Sequence, residues 1–559
     1  MKKYILMPIV FALIMGNVKA QSWQWAKKGA SVSSDYLSNI CTDANGNAYV
    51  IGQFGFYGGQ PANYMIFDND TVYINGVDQI FLVKYSPSGN VVWAKSIGGN
   101  NPNTGASSYT EGGYQVHYDA SSNSILITGS FSGTCFFGPT SLFGIEDMFL
   151  AKLDLNGNYL WVKGIYCNNI FSISNNCLSS DPTGNIYMSG ISPDSISFDS
   201  TKLPAGNYLT KYDSNGNVLW AKKKFVDAYF RKINFFNGDL FALGIITNDT
   251  SLIDTVTYIS NLSSTSFFTR FDTSGNVKWI KFPTSSAGAF GSDMDMDAMG
   301  AFYINGSFKT DINLGGNIVT NANLYDMFIV KYDANGNVIW LRQANASNSV
   351  LGYRGVTTGD GSTYVEGLFD GSASFGSYNL TSTGSNDIYI ARYNSNGDCL
   401  GVRQIAIGNG TMGASWIAAD NLGNCFIAGS FYSPLTIGST TLSSAGFSDV
   451  FIAKHDVITG LGGGEGRMAN QQLIIYANPT AGKCNITVPD DFVHEQNLTL
   501  SIYDNTGKLI QQKTLEMISP LGSQGVGKIK VNLEQEAKGV YNVTLSNKKK
   551  SYNGTIVFE

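Results

Sequence analysis

A chain of 559 residues with 63 glycines and only 14% charged side chains, against ordinary shares near 7% and 25%, has the composition of a turn-rich all-β protein with a weakly charged surface. Its net charge of −6 argues against nucleic acid as a partner. Seven cysteines (Cys41, Cys135, Cys167, Cys177, Cys399, Cys425 and Cys484) are too sparse for a disulfide scaffold; most read as small buried hydrophobes, with a Cys167–Cys177 bridge left open.

The first twenty residues read as a signal peptide. Lys2 and Lys3 give a positive start, Tyr4 to Met15 an apolar stretch, and Val18 and Ala20 the small residues before a cut ahead of Gln21. The apolar stretch falls short of the about 20 residues a spanning helix needs, and no later window reaches that length, so no transmembrane segment is expected.

From residue 21 onward one segment recurs with its spacing intact: Phe81 to Trp93, with Lys84, Gly89 and Asn90. It returns as Phe149 to Trp161, Tyr208 to Trp220, Phe267 or Phe268 to Trp279, and Phe328 to Trp340, while a sixth copy, Tyr389 to Gly401, keeps Arg392 and Gly397 but lacks the tryptophan. The tryptophans at 25, 93, 161, 220, 279 and 340 are separated by 68, 68, 59, 59 and 61 residues, the step of a structural repeat. A second signature precedes each copy, beginning with Asp43 to Phe54 and ending with Asp420 to Phe431, and it occurs seven times. Asn-Gly-Asn between short aromatic and β-branched runs predicts hairpins whose central residues take positive φ. Glycines 52, 129, 190, 306, 367 and 429 mark a close approach or bend in the second strand. Four strands per repeat without helical periodicity predict a seven-bladed β-propeller over residues 21–456.

The repeat ends unevenly. Unit seven has the strand Phe451 to Asp456 but no following turn and Trp strand, and the segment Ser22 to Lys27, with Trp25, matches what is missing. A strand left over at one end and absent at the other predicts closure of the last blade by the N-terminus, which removes exposed sheet edges.

Residues 457–471 form a Gly-rich linker. Beyond it, alternating segments such as Leu498 to Tyr503 and Val540 to Leu545 predict a small C-terminal β-sandwich over 472–559. Asn478, Pro479 and Gly482, then Gly507 and Lys508, then Gly539 and Tyr541, in that order, resemble the C-terminal sorting domain of cargo for the type IX secretion system of Bacteroidetes; Ala477 stands where that family usually has a proline. The resemblance implies an encounter with the type IX machinery and a secreted or outer-surface location. The repeats in turn resemble the SBBP-type β-propeller repeat of bacterial secreted proteins.

Catalytic chemistry is thinly represented. The three histidines, His117, His455 and His494, are scattered, and no H-x-x-x-H, C-x-x-C, G-x-S-x-G or phosphate-binding pattern occurs. The densest acidic cluster, Asp293, Asp295 and Asp297, alternates as on one side of a strand, where a cation such as Ca²⁺ would offset the repulsion; the alternative is a solvated strand or loop leading to Gly300. No other cofactor is expected. Two readings follow: a monomeric, non-catalytic binding or adhesion protein for glycan or protein, or a polysaccharide hydrolase or lyase using carboxylates in the propeller channel.

Overall fold

The computed structural model describes residues 23–55, 62–74, 78–99, 112–167, 177–226, 228–247, 250–253, 256–259, 265–282, 284–285, 289–321, 323–384, 386–405, 412–432, 434–458, 473–476, 480–488, 498–504, 508–515, 528–546 and 551–559. The signal peptide and almost all of the linker lie outside them. Regular structure among the described residues is strand throughout, with no helix. The chain divides into two compact units, Met1–Gly466 and Arg467–Glu559.

In units two to five the turn between the third and fourth strands is built around an aspartate, with Ser86 and Asn394 in its place in units one and six. At Asp154 the N–H of Gly157 donates to the Asp154 carbonyl at 3.0 Å and the N–H of Asp154 to that of Asn158 at 2.9 Å. The carboxylate accepts from the backbone of Asn156 and Asn158 at 2.9 and 2.8 Å and from the Asn158 amide at 2.9 Å. Asp213, Asp272 and Asp333 repeat the arrangement. Burial draws these carboxyls upward, but the asparagine donors more than offset it and leave each below its ordinary value. Only the glycine takes positive φ, 83° at Gly157, which corrects the expectation that asparagine shares it. A turn closed by a left-handed glycine and bulge needs one such residue, and the asparagine side chain serves the aspartate instead.

One unit consists of Tyr36–Thr42, Ala48–Gly55, Asp78–Tyr85 and Val91–Gly99, paired antiparallel in that order. The same four-strand order starts again at Gly112–Asp119, Cys177–Ser180, Ala228–Phe236, Ala289–Met296 and Ser349–Thr357. Met412–Ala419, Cys425–Phe431 and Asp449–His455 begin a further copy, and Trp23–Ala30 supplies its fourth strand, with Ala26 opposite Ala453 and Gly29 opposite Val450. The first strand of each unit lies against the first strand of the next, and Met412–Ala419 lies against Tyr36–Thr42.

The conserved spacing of Trp and Gly has a structural reason across these contacts. Each indole lies on the turn glycine of the following unit: a Cβ on Gly89 would come within 2.6 Å of the Trp25 ring, on Gly216 within 2.9 Å of Trp161, and on Gly397 within 2.9 Å of Trp340. Except at Trp279, the indole N–H then donates to the carbonyl two residues before that glycine. Trp25 reaches Pro87 at 3.0 Å, Trp93 Leu155 at 3.1 Å, Trp161 Ser214 at 3.1 Å, Trp220 Thr273 at 3.2 Å and Trp340 Ser395 at 3.0 Å. Unit seven therefore grips unit one through Trp25 just as units one to three grip their successors.

The tryptophan missing from unit six follows from the same contact. Unit seven has no turn between its third and fourth strands, because its fourth strand arrives from the N-terminus, so an indole at Gly401 would have no glycine to cover. Ile458 of unit seven supplies the acceptor there: it is fully buried, its carbonyl accepts from Arg392 Nη1 at 3.1 Å as that of Leu155 does from Lys84, and its N–H donates to the Tyr364 hydroxyl at 3.1 Å.

The C-terminal unit is a pair of sheets on one core. Ile474–Tyr476, Lys483–Thr487 and Lys528–Asn532 form one, and Leu509–Leu515 and Ser551–Phe558 are the edges of the other around Leu498–Tyr503 and Gly539–Ser546. Ile486, Leu498, Ile502, Val543, Leu545 and Ile556 fill the space between them, giving alternating strands a wet and a dry face.

Because the Trp25 indole is only partly buried, Trp25→Ala should cost about 2 kcal/mol in denaturant unfolding, below the about 3–5 kcal/mol of a fully buried aromatic. Gly89→Ala should also destabilise, through its positive φ and the clash with the ring. The two changes should be non-additive by about 0.5–3 kcal/mol, whereas Gly89→Ala with Trp161→Ala should simply add. Additivity of the first pair would mean that Trp25 does not lie on Gly89.

Candidate functional site

The first strands carry a recurring bulge opposite the second-strand glycine. Pairing steps from Leu37–Gly52 to Asn39–Ile51, from Gly113–Gly129 to Gln115–Thr128, from Phe230–Gly244 to Lys232–Leu243, from Gly291–Gly306 to Asp293–Asn305, and from Gly352–Gly367 to Arg354–Glu366. The glycine is required because the bulged backbone occupies the place of a side chain: a Cβ on Gly52 would lie 2.1 Å from the Tyr36 carbonyl oxygen, and on Gly367 1.8 Å from that of Leu351. Such a bulge re-aims the next side chain. The equivalent residues across the series are Asn39, Gln115, Cys177, Lys232, Asp293, Arg354 and Trp416. Two residues further on stand Cys41, His117, Ser179, Asn234, Asp295, Val356 and Ala418.

All seven first strands line a single cavity of about 750 Å³, within the range of small-molecule sites. Each first strand is an edge strand of its sheet, and its free N–H groups need acceptors. Side chains of the preceding unit supply them: Asn39 Oδ1 accepts from Val116 N–H at 3.3 Å, Ser179 Oγ from Phe235 N–H at 3.0 Å, Asp293 Oδ2 from Gly355 N–H at 3.1 Å, and Asp295 Oδ2 from Thr357 N–H at 2.7 Å.

Most of the charge of the cavity lies on one flank, while the other carries Asp181 alone, bound into its own turn by Thr183 and Asn185. Arg231, Lys232, Asp293, Asp295 and Arg354 come from units four to six. Lys232 Nζ lies 3.9 Å from Asp293 Oδ1, and Asp293, followed by Asp295, raises its pKa against the opposing effect of burial. The Arg354 guanidinium lies 3.7 Å from the centre of the Trp416 ring. Burial raises the Asp295 carboxyl, with Lys232 and the Thr357 N–H pulling the other way. On the other flank His117 Nε2 sits 3.1 Å from Ser180 Oγ, and burial takes its pKa down to about 4, while burial pushes the Cys177 thiol up to about 12. Cys167 and Cys177 are both buried and are not joined by a disulfide.

Behind Arg354 stands a residue that the sequence reading missed, Glu366. It is fully buried, accepts a short hydrogen bond from the Ser415 hydroxyl, and has no partner for its second oxygen among the described residues. Burial raises its pKa to about 7, against the Ser415 hydrogen bond and the Arg354 charge. The signal was present in the repeat: the residue before the second-strand glycine is Ile51, Thr128, Ser189, Leu243, Asn305 or Ala428 in the other units, and glutamate is the only ionisable one.

The predicted metal cluster is divided by the fold. Asp293 and Asp295 do share one side of their strand, but both point to the backbone of unit six, and Asp295 also accepts from the Asn234 amide at 2.9 Å. Asp297 lies past the strand end and belongs to the turn, accepting from Met299 N–H, Ala301 N–H and the Tyr303 hydroxyl, with Lys331 at 3.3 Å. Asp293 and Asp297 are buried, unlike a solvated strand or loop. Among the described residues no three His, Cys, Asp or Glu side chains are grouped to hold a metal. His455 is buried in its strand, accepting from Arg403 Nε at 3.2 Å.

In the C-terminal unit the sorting-motif residues are partly described. Asn478, Pro479 and Gly507 lie outside the described residues. Gly482 adopts φ 107° against Glu534, and its carbonyl accepts from Leu533 N–H at 2.6 Å. Lys508 and Asp504 close a turn through their backbones at 3.0 Å. Gly539 opens a strand, and the buried Tyr541 donates its hydroxyl to the Ala537 carbonyl.

A carboxyl whose pKa is raised by folding stabilises the native state below the unfolded value and ceases to do so as pH rises through the folded value. For Glu366 that window runs from about 4.5 to about 7. Glu366→Gln should therefore gain in melting temperature relative to the parent between pH 5 and pH 8; parallel pH profiles for the two proteins would contradict the assignment.

Comparison with known proteins places these features as follows. A stretch of this chain is 25% identical to an uncharacterized WD repeat-containing protein of Acanthamoeba polyphaga mimivirus, covering 35% of this chain and 16% of that protein's length. Among solved structures, a puromycin hydrolase matches with TM-score 0.36 and 9% identity over 82% of this chain and 59% of that one. A Synechocystis apocarotenoid oxygenase mutant matches with TM-score 0.32 and 12% identity over 79% and 96%, and the GH43 protein BlXynB of Bacillus licheniformis with TM-score 0.26 and 9% identity over 70% and 90%. Likeness at this level assigns neither fold nor chemistry. Residues 474–559 match the secretion system C-terminal sorting domain family, and this domain indicates export through type IX secretion.

Proposed function

We propose that the mature protein is a secreted or cell-surface binding module, in which residues 21–456 form a seven-bladed β-propeller closed by the N-terminal strand and residues 472–559 direct export. The succession of first-strand contacts that returns from unit seven to unit one, together with the Trp25 contact to Pro87, supports the ring. The observation that carries the binding reading is the state of the acids around the cavity. Both oxygens of Asp293 and of Asp295 accept hydrogen bonds from protein donors, and Glu366 lies out of contact with solvent. A glycosidase needs one carboxyl to protonate the leaving group and a second to act as nucleophile or base. Acids engaged as acceptors for neighbouring backbone are suited to shaping a site. Binding of glycan or protein is the function that such a lining supports.

Two outcomes are expected. The full chain should bind a partner in a screen of glycans and surface proteins without cleaving polysaccharides presented in parallel; release of reducing ends abolished by Asp293→Asn or Asp295→Asn would replace binding with hydrolysis. Deletion of residues 472–559 should leave the protein inside the outer membrane on cell fractionation, and an undiminished surface or culture signal would remove the role given to the tail.

A further inference from the structure

The cations of the cavity are less engaged than its acids. Arg231 follows Phe230 as the extra residue of the unit-four bulge, and its Nε is buried with no hydrogen-bond partner among the described residues. Leaving a buried charged N–H unpaired is costly, so such a group indicates an acceptor that arrives from outside the chain. Lys232, the next residue, has its nearest carboxylate oxygen at 3.9 Å, beyond a direct hydrogen bond. Arg354 contributes its flat face to Trp416 at 3.7 Å, which leaves the N–H groups on its rim for an acceptor in the same plane. Oδ2 of Asp293 and of Asp295 meanwhile accepts from the Gly355 and Thr357 N–H groups, and Oδ1 of each from Met294 N–H and the Asn234 amide. Three cationic side chains thus line one cavity while the anions beside them are occupied.

The other flank is of a different kind. Gln115, His117 and Ser180, from units two and three, line the same cavity, and the neutral imidazole and hydroxyl pair with each other at 3.1 Å. Amide, imidazole and hydroxyl groups suit the alternating donors and acceptors of a polyol.

Resting on the reading of this cavity as a binding site, we propose that it takes an acidic saccharide, with Arg231, Lys232 and Arg354 holding the carboxylate or sulfate and the other flank facing the sugar hydroxyls. The anion supplies the acceptor that Arg231 Nε lacks. A neutral sugar of the same size offers that donor only an uncharged oxygen, so discrimination against neutral analogues arises from the charge-assisted contact.

Calorimetry of the full chain tests this with four probes: a glucuronate disaccharide, its methyl ester, a sulfated disaccharide and inorganic sulfate. The acid is expected to bind at least about tenfold tighter than its ester, as one charge-assisted contact allows, and binding should weaken with added salt. Tighter binding of the sulfated sugar would make sulfate the favoured anion, and inorganic sulfate should compete with either. Arg231→Met and Arg354→Met, each checked by thermal unfolding, should weaken binding of the acid about tenfold or more and that of the ester by much less. Equal affinity for acid and ester on the unaltered chain overturns the proposal without recourse to variants, as does unchanged affinity in variants that melt like the parent. If the chain binds another glycan or protein that inorganic sulfate does not displace, and binds none of the four probes, the acidic-sugar proposal falls while the binding reading stands.

Discussion

The arrangement of the large unit depends on one contact, an indole laid flat on a glycine. The turn glycine serves twice. Its positive φ lets the aspartate turn close, and its missing side chain lets the tryptophan of the preceding unit settle on the turn and donate to its backbone. Neither role tolerates a Cβ, so the Gly and Trp positions are linked across units although they lie more than fifty residues apart in the chain. Local turn chemistry and the packing between units are thereby satisfied by the same residue, the kind of agreement between levels that leaves a sequence few competing folds.

This explains why the strands and turns were legible from the chain alone. The Phe81 to Trp93 pattern and its copies mark the third strand, the turn and the fourth strand, and the orphan segment at Trp25 does pair with Asp449–His455. Even the absent tryptophan of unit six was visible, though its cause was not: the reason lies in a turn that unit seven lacks. Asn-Gly-Asn misled at one point, since a single left-handed residue suffices where the aspartate accepts the remaining donors.

The site was much less legible. A bulge shifts the pairing by one residue and moves every following side chain to a new direction, and nothing in the first-strand sequences marks where the shift falls. The alternation of Asp293, Asp295 and Asp297 gave the correct side for the first two, but their hydrogen-bond partners are 62 residues away, and the strand ends before the third. Glu366 was within reach of the repeat alignment, because a buried acid at a position otherwise filled by apolar or neutral polar residues breaks the rule of its own family of strands.

The charged flank also sits where the contacts between units depart from their pattern. Trp279 keeps its place over Gly336, but its Nε1 is without a partner among the described residues, and Arg270 Nη1 makes the equivalent bond to the Ala334 carbonyl at 3.1 Å. At the next departure, between units six and seven, the indole is absent and Arg392 alone reaches a carbonyl, that of Ile458. These two altered interfaces bracket units five and six, which carry Asp293, Asp295, Arg354 and Glu366. Lys84, Lys331 and Lys454 reach the same carbonyl from the same strand position beside a bonded indole, so at these two interfaces the cation keeps its bond while the indole's is lost. A repeat fold made of equivalent contacts would produce equivalent first strands around the cavity. In this chain the charged flank spans the first departure, with Arg231 and Lys232 in unit four, and ends at the second.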